Sequence, residues 1–231
     1  MLQIRVPFLK PSDLDHAAAE LLRRYGAWKK VPVQPPIDVD EIVEGYLGLT
    51  LEVVDLKKQL GMSDVLGATW FDEGRVRIDQ SLEDKEGRFA FTVAHEIGHW
   101  QLHRPLYEMD KVTLPLFSLG QDQKPTPAVV CRAKERKTPA EWQADQFAAR
   151  LLMPAAAVRA TALGICNAKP PVWDGLADSR KTGVPDARLR AFAGEIIAEG
   201  GFLNVSNEAM CYRLLDLKLV KDKSQATAEL F

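Results

Sequence analysis

Two histidines four residues apart, with a glutamate directly after the first, constrain this chain more than any other feature of its sequence. The segment His95-Glu96-Ile97-Gly98-His99 lies in a stretch that is predicted to be helical up to about residue 103. Positions i and i+4 of an α-helix lie on one face, so both imidazoles can bind a single zinc ion. Glu96 is offset by one position, which places its carboxylate beside a metal-bound water. The alternative interpretation is a pair of core histidines held by hydrogen bonds.

The helix that carries this motif is predicted to be buried. Ser81 and Asp84 have the spacing of a capping box and predict its start. One face carries large apolar side chains, at Phe89, Val93, Ile97 and Trp100. A second face carries small residues at a spacing of four, at Ala90, Ala94 and Gly98. Because apolar and small residues cover so much of the helix, we expect it in the core, with the small face allowing a strand or helix to approach closely.

A catalytic zinc site requires a third protein ligand and one open position. In one group of zinc peptidases a further histidine follows six residues after the second, but Pro105 occupies that position here. His103 lies eight residues after His95, and three successive turns of one helix cannot converge on one ion. We therefore expect His103 to border the cleft or to pair structurally, and the third ligand to come from another segment.

The preferred third ligand is Glu141, which is followed four residues later by Asp145. Glu141 would bind zinc, and Asp145 would accept the remaining ring N–H of His95 or His99. A second interpretation of Glu141 stays open. The segment 138–141, Thr-Pro-Ala-Glu, is a well-formed capping box with proline at the first helical position, and a cap alone would account for a glutamate there.

The composition is that of an ordinary globular protein, with 46% hydrophobic and 27% charged residues among 231. It excludes a disordered or collagen-like chain, and a net charge of −2 argues against a protein that coats nucleic acid. No apolar run reaches the ~18–20 residues of a membrane helix, and no secretion signal is recognisable, so we expect no membrane partner. Three widely spaced cysteines form no disulfide framework, which favours a location in the reducing cytoplasm.

The pattern of elements predicts an α+β fold. Helices are expected over residues 12–25 and from about residue 38 to residue 47, and strands over 51–54, 65–71 and 75–78, with a hairpin turn at 72–74. The long motif helix follows, then a proline-rich irregular segment over 104–137 and a helix over 138–153. We predict a zincin-like core with a small three-stranded antiparallel sheet and a buried motif helix. The metallopeptidase domain would span residues 1–165, and a small helical C-terminal module would span 166–231.

Three stretches of the chain resemble the ImmA/IrrE family of bacterial metallopeptidases. They are Pro35-Pro36-Ile37-Asp38-Val39, the helical segment 88–103, and the segment 141–154. The resemblance covers about residues 12–160, and the combination is far more specific than the histidine motif alone. It implies zinc bound by His95, His99 and Glu141, with Glu96 as the catalytic base.

The resemblance also implies a substrate class. Members of this family are typically cytoplasmic endopeptidases of narrow specificity that cut a helix-turn-helix repressor. Cleavage releases genes of a mobile element, a stress response or an anti-phage system. The tail around 202–215 is similar to the helix-turn-helix-like module of the family. Its charges over 186–223 balance, so we expect it to serve packing or substrate recognition rather than DNA binding.

The segment 104–137 departs from a minimal family pattern and suggests two forms of regulation. Cys131 could occupy the open zinc position and hold the enzyme inactive, because thiolate is a strong zinc ligand. The basic residues around it could bind a nucleic-acid activator such as single-stranded DNA, as some relatives linked to DNA damage need; these are Lys124, Arg132, Lys134, Arg136 and Lys137. The alternative is a free cysteine in a solvated loop.

The expected mechanism is zinc-assisted hydrolysis of a peptide bond, with Glu96 transferring the proton of the attacking water to the leaving amine. The oxyanion donor is not identified by the sequence; the candidates are His103, Tyr107 and Tyr212, with His103 preferred. The substrate is expected to pair with a sheet edge at 65–71. Two alternatives remain: a non-catalytic zinc-containing regulator that binds a transcription factor or nucleic acid, and a peptidase of broad specificity.

Overall fold

The computed structural model describes residues 6–113, 127–132, 138–176 and 182–223. These residues form two compact units. The first unit takes its residues from Met1–Pro32 and Asp38–Leu151, and the second from Val33–Ile37 and Leu152–Phe231. The domain division predicted from the sequence, at residues 165–166, falls within the second unit and stays a prediction.

The first unit begins with a helix, α1, over Pro11–Lys29. Proline at the first helical position and the Asp13 carboxylate, which accepts a hydrogen bond from the backbone N–H of Lys10, stabilise its start. A short helix α2, Val39–Glu41, follows and continues as a π-helical turn over Ile42–Tyr46. The Asp38 side chain caps α2 by accepting from the N–H of Glu41 at 2.9 Å.

A mixed four-stranded sheet forms the centre of the first unit, in the order β1-β3-β2-β4. The strands are β1 (Thr50–Val54), β2 (Val65–Trp70), β3 (Arg75–Asp79) and β4 (Val129–Arg132). β2 and β3 form the predicted antiparallel hairpin, and β4 pairs antiparallel with β2. β1 instead runs parallel to β3, and a short helix α3, Leu56–Leu60, connects β1 to β2 along the chain.

The prediction of three antiparallel strands was therefore wrong. Alternation of side chains identifies a strand but carries no information about the direction of its neighbour, so the parallel pairing of β1 was not visible. β4 was missed because nearby prolines, at 125 and 127, made its segment look irregular. The position of β2 also differs from the expectation, since it lies between β3 and β4 and is not a sheet edge.

The motif helix, α4, spans Glu86–Leu102 and packs on the sheet. It begins later than predicted because residues Gln80–Leu82 form a separate 3₁₀ turn. The Asp79 side chain accepts from the N–H of Ser81 in this turn, so Ser81 does not cap α4. Most of the central residues of α4 are buried, as the sequence predicted.

Two further helices complete the first unit. α5 (Arg104–Thr113) follows α4 directly, in a segment that was predicted to be irregular, and α6 (Pro139–Leu152) follows β4. α4 and α6 approach closely at Gly98, where a Cβ atom would lie 3.2 Å from both Cα and O of Ala144. The predicted role of the small face of α4 is thus confirmed at this position.

The second unit is mainly helical. Its elements are α7 (Ala155–Ile165), β5 (Val172–Trp173), α8 (Ala187–Gly200), α9 (Asn207–Asp216) and β6 (Lys221–Asp222). The Ser206 hydroxyl caps α9 by accepting from the N–H of Ala209 at 3.2 Å. The buried Arg213 of α9 donates from Nε to the Met153 carbonyl at 3.1 Å.

Taken singly, the helices within the described ranges all fall short of the length and apolar content needed to cross a membrane. α6 and α7 meet these criteria only when counted together, as a pair bent by 54°.

Candidate metal centre

Two imidazoles from α4 and one carboxylate from α6 converge on a single point. The Nε2 atoms of His95 and His99 lie 2.9 Å apart. Glu141 reaches both rings, with Oε2 at 3.3 Å from Nε2 of His95 and Oε1 at 3.1 Å from Nε2 of His99. Both histidines are fully enclosed, with 1% and 0% of their surface exposed. The helical spacing of the histidines and the approach of α6 at Gly98 together produce this cluster.

The chemistry of these donors fits a bound cation. Nδ1 of His95 lies 2.9 Å from Oδ1 of Asp145, and because a carboxylate only accepts, Nδ1 carries the ring proton. Nε2 of His95 is therefore the nitrogen that faces the Glu141 carboxylate, and in the neutral ring it has a lone pair with which to bind a metal. Donor atoms bound tetrahedrally to zinc at ~2.0–2.1 Å lie about 3.3 Å from one another, close to the separations seen here.

Glu141 forms the predicted cap and also has a place in the cluster. Its backbone N–H donates to the Thr138 hydroxyl at 3.3 Å, so the cap at the start of α6 is formed. Its carboxylate is nevertheless directed at His95 and His99. Although burial would raise the pKa of this carboxyl, the two histidines hold it well below its usual range. Capping and a place in the cluster are thus compatible in one residue.

Glu96 lies fully buried between α4 and the sheet. Its Oε2 accepts a hydrogen bond of 2.6 Å from the Thr69 hydroxyl on β2. Its Oε1 has no hydrogen-bond partner among the described residues. Burial raises the pKa of Glu96 to about 7, although His95 and the Thr69 hydroxyl act in the opposite direction. Thr69 thereby holds Oε2 in place, while Oε1 is available to accept a hydrogen bond or a proton.

Gly67 and Thr69 of β2 were missed by the sequence analysis. A Cβ atom at Gly67 would lie 2.6 Å from Oε1 of Glu96 and 2.8 Å from Cγ2 of Thr92, so only glycine permits α4 to lie this close to the strand. A glycine inside a strand often marks a close approach of another group, and this signal was available in the run 65–69. The Thr69 contact had no such signal, since it depends on how β2 packs against α4.

Cys131 reaches the same cluster from β4. It pairs with Gly67 across the sheet, and the ligand atoms of His95, Cys131 and Glu141 all lie within 4.8 Å of one another. Burial raises the pKa of the Cys131 thiol, while His95 beside it lowers it. Of the basic residues predicted nearby, Arg132 ends β4; the others, Lys124, Lys134, Arg136 and Lys137, lie outside the described residues.

His103 lies behind His99 and not at the face of the cluster. It is 0% exposed, with Nδ1 at 2.8 Å from Nδ1 of His99 and Nε2 at 3.1 Å from Oε1 of Gln143. Burial lowers the pKa of His103 to about 3. Of the two expectations for this residue, the geometry favours structural pairing over a place at the cleft border, and its proposed contact with the reacting carbonyl has no support here.

The other two candidate oxyanion donors lie in different parts of the fold. The Tyr107 hydroxyl on α5 donates to Oδ2 of Asp72 at 2.9 Å, and its ring packs against Phe71 with centroids 5.3 Å apart. Tyr212 lies on α9 of the second unit. The oxyanion donor therefore stays unassigned.

The segment that carries the sheet, α4 and α6 matches a known protein family. Residues 50–165, about half of the chain, match the sequence profile of the IrrE N-terminal-like domain, peptidase family M78. No curated protein matches the chain. The family supports a metallopeptidase-like function, and the histidine, cysteine and glutamate side chains gathered between α4, α6 and β4 are suited to hold a metal. The chain belongs to the ImmA/IrrE family, with a peptidase M78 domain over residues 50–165.

Proposed function

We propose that this protein is a cytoplasmic zinc-dependent endopeptidase that cleaves a specific helix-turn-helix transcriptional repressor. The observation that carries the proposal is the convergence of His95, His99 and Glu141, with a buried glutamate directly beside them. Cleavage would derepress stress, mobile-element or anti-phage genes. The repressor as substrate rests on the family resemblance, whereas peptide hydrolysis rests also on the geometry.

In this mechanism His95, His99 and Glu141 hold the zinc ion. When bound, zinc supplies a Lewis acid that polarises the scissile carbonyl and lowers the pKa of water. Glu96 takes the proton of the attacking water on Oε1, the oxygen that has no partner among the described residues, and passes it to the leaving amine. Thr69 holds Oε2 throughout and so fixes the direction of Oε1.

The same site includes a means of inhibition. Cys131 would take the open position at the metal, which is supported by its distance of at most 4.8 Å from ligand atoms of His95 and Glu141. β4 also covers the side of β2 to which an extended substrate would add as an antiparallel strand. Release of β4 would therefore free the metal and the strand edge together. Single-stranded DNA that binds the basic residues after Cys131 is the proposed trigger.

A second candidate function is favoured by the same cysteine. His95, Cys131 and Glu141 have ligand atoms within 4.8 Å of one another, a group that does not include His99. If Cys131 also approached His99, two histidines, a glutamate and a cysteine would form a closed four-ligand set, which is the arrangement of structural zinc sites. The protein would then be a non-catalytic zinc-containing regulator that binds a transcription factor or nucleic acid. Glu96 distinguishes the two functions, because a structural site has no use for a buried carboxylate with an unpaired oxygen.

The test compares the wild-type protein with Glu96→Gln on the helix-turn-helix protein encoded nearest to its gene, with and without single-stranded DNA. Metal content is measured on the same samples. Zinc near one per chain, with cleavage by the wild type and not by Glu96→Gln, supports the peptidase. The control is Glu83→Gln, an exposed glutamate outside the cluster, which should cleave like the wild type.

Other outcomes lead to different conclusions. Zinc without cleavage under any condition, also in Cys131→Ser, would favour the regulator. Cleavage of unrelated unfolded proteins at equal rates would indicate a peptidase of broad specificity. Absence of zinc would contradict the assignment of His95, His99 and Glu141.

A further inference from the structure

A chain of hydrogen bonds connects the N-terminal segment to the rear of one metal-binding histidine. The amide nitrogen of Gln143 donates to the Pro7 carbonyl at 2.7 Å. Its amide oxygen lies 3.1 Å from Nε2 of His103, and Nδ1 of His103 lies 2.8 Å from Nδ1 of His99. Gln143 and His103 are both buried, with 2% and 0% exposed. All four residues belong to the first unit.

The Pro7 carbonyl determines which group donates and which accepts in each of these hydrogen bonds. A proline carbonyl can only accept, so the amide nitrogen of Gln143 must face Pro7, and its oxygen must face His103. That oxygen is also only an acceptor, so Nε2 of His103 must carry the ring proton. In a neutral imidazole the other nitrogen is then an acceptor.

The protonation of His103 determines which nitrogen of His99 is free to bind a metal. Because Nδ1 of His103 accepts, Nδ1 of His99 must donate, and the ring proton of His99 lies on Nδ1. Nε2 of His99 then keeps its lone pair, and this is the atom that lies 2.9 Å from Nε2 of His95 and 3.1 Å from Glu141. The reverse arrangement would put a proton on Nε2 and prevent it from binding a metal.

We propose that His103 and Gln143 are positioning residues that fix the tautomer and ring orientation of His99 for metal binding. The inference rests on the proposed metal site. It gives the two histidines different supports. His95 is held by the anionic Asp145, whereas His99 is held by a relay of neutral groups, namely His103, Gln143 and the Pro7 carbonyl. Partners of this kind typically contribute 10–100-fold to metal affinity.

The first test measures the dissociation constant of zinc by competition with a chromogenic chelator. His103→Phe and Gln143→Leu remove the acceptors of the relay and should weaken zinc binding about 10–100-fold. Gln143→Glu keeps an acceptor facing His103 but sets a carboxyl oxygen against the Pro7 carbonyl, so its zinc affinity should lie between those of Gln143→Leu and the wild type. His103→Gln offers an amide oxygen to His99 and should partly restore the affinity that His103→Phe loses.

The matched control is Leu151→Ala on α6, the helix that carries Gln143. Leu151 is fully buried in the same unit, so this change should lower the melting temperature without changing zinc affinity. Zinc affinities of His103→Phe and Gln143→Leu equal to that of the wild type, or lowered only as much as in Leu151→Ala, would overturn the proposal.

A second measurement needs no variant that perturbs the relay. Nitrogen-15 spectra of histidine-labelled wild-type protein report which ring nitrogen is protonated, and with four histidines in the chain the assignment is tractable. The proposal expects a proton on Nε2 of His103 and on Nδ1 of His99, with or without zinc. A proton on Nδ1 of His103 would overturn it. Failure to bind zinc would instead contradict the proposed function and leave this tautomer measurement to decide on the relay.

Discussion

The two sides of the metal cluster are built differently. On the side of α6, the histidines are held by hydrogen bonds: Asp145 holds His95, and Gln143 holds His103, which in turn holds His99. On the side of the sheet, the Oε1 atom of Glu96 has no hydrogen-bond partner among the described residues, and the Cys131 thiol lies beside His95. Under the proposed function, the helical side would hold the metal in one geometry, whereas the sheet side would supply proton transfer and control of access.

Replacing Glu141 tests the helical side, and its expected effect, on zinc binding, is the largest. Glu141→Ala should weaken zinc binding by more than the ~10–100-fold that a supporting partner contributes, because a ligand itself is lost. The start of α6 should survive, since the bond from the backbone N–H of residue 141 to Thr138 does not need the side chain. Zinc content and helicity by circular dichroism are the measurements. Unchanged zinc content would leave Glu141 with a capping role alone.

Two glycines at close contacts of α4, Gly67 on β2 and Gly98 on α4 itself, separate the contributions of the two sides. Gly67→Ala would push a Cβ atom to within 2.6 Å of Oε1 of Glu96, so it should lower the cleavage rate and leave zinc bound. Gly98→Ala would force α4 away from Ala144 on α6, so it should weaken zinc binding and cost about 1–3 kcal/mol of stability. Zinc affinity, cleavage rate and unfolding by denaturant are measured for both.

The control for these variants is Gly164→Ala on α7, where a Cβ atom would meet nothing within 4 Å. The free energy of unfolding of Gly164→Ala should be unchanged or raised by at most about 1 kcal/mol, since alanine favours the helix. If Gly67→Ala and Gly98→Ala reduced zinc affinity equally, the division between a metal-holding and a reacting side would be wrong.

Replacing Cys131 tests control of access on the sheet side. Cys131→Ser removes the thiolate but keeps a small side chain on β4, so cleavage without an activator should rise severalfold, as a larger fraction of molecules becomes competent. The repressor is incubated with the variant and with the wild type, with and without single-stranded DNA. No rise in basal cleavage would exclude the cysteine as an inhibitory ligand. The control is Cys166→Ser, on the second unit.

The smallest effect is expected from replacing Asp79, the last residue of β3. Burial would raise the pKa of Asp79, but hydrogen bonds from Lys57 and Ser81 outweigh it and lower the pKa to about 2. The ion pair with Lys57, at 2.8 Å, therefore adds stability that is complete above the usual pKa of 3.8. That stability, about 2 kcal/mol, is lost as the pH falls through 2.

Asp79→Asn should consequently lower the free energy of unfolding at pH 7 and flatten its decline in acid. Urea unfolding of the wild type and the variant from pH 7 to pH 2 measures both effects. Asp84→Asn, at an exposed position, is the control. If the free energy of unfolding fell equally with pH in Asp79→Asn and in the wild type, Asp79 would not contribute to the acid sensitivity of the protein.

Much of the secondary structure followed from local patterns. The hairpin of β2 and β3 and the buried character of α4 were predicted and are confirmed, and family membership followed from the motifs. The roles of His95, His99 and Glu141 as ligands stay predictions, although the structure gathers the three side chains. The start of α4 was misplaced because Asp79, outside the predicted helix, takes the N–H of Ser81.

The sequence by itself determined that two imidazoles share a helical face with a carboxylate one position away, because the α-helical repeat is a local property of the backbone. Only the tertiary structure decided which groups meet this face. The parallel pairing of β1, the contact of Gly67 with Glu96, and the link from Pro7 through Gln143 to His103 join residues far apart in the chain. Such contacts depend on how whole elements pack, and no periodicity within one segment records them.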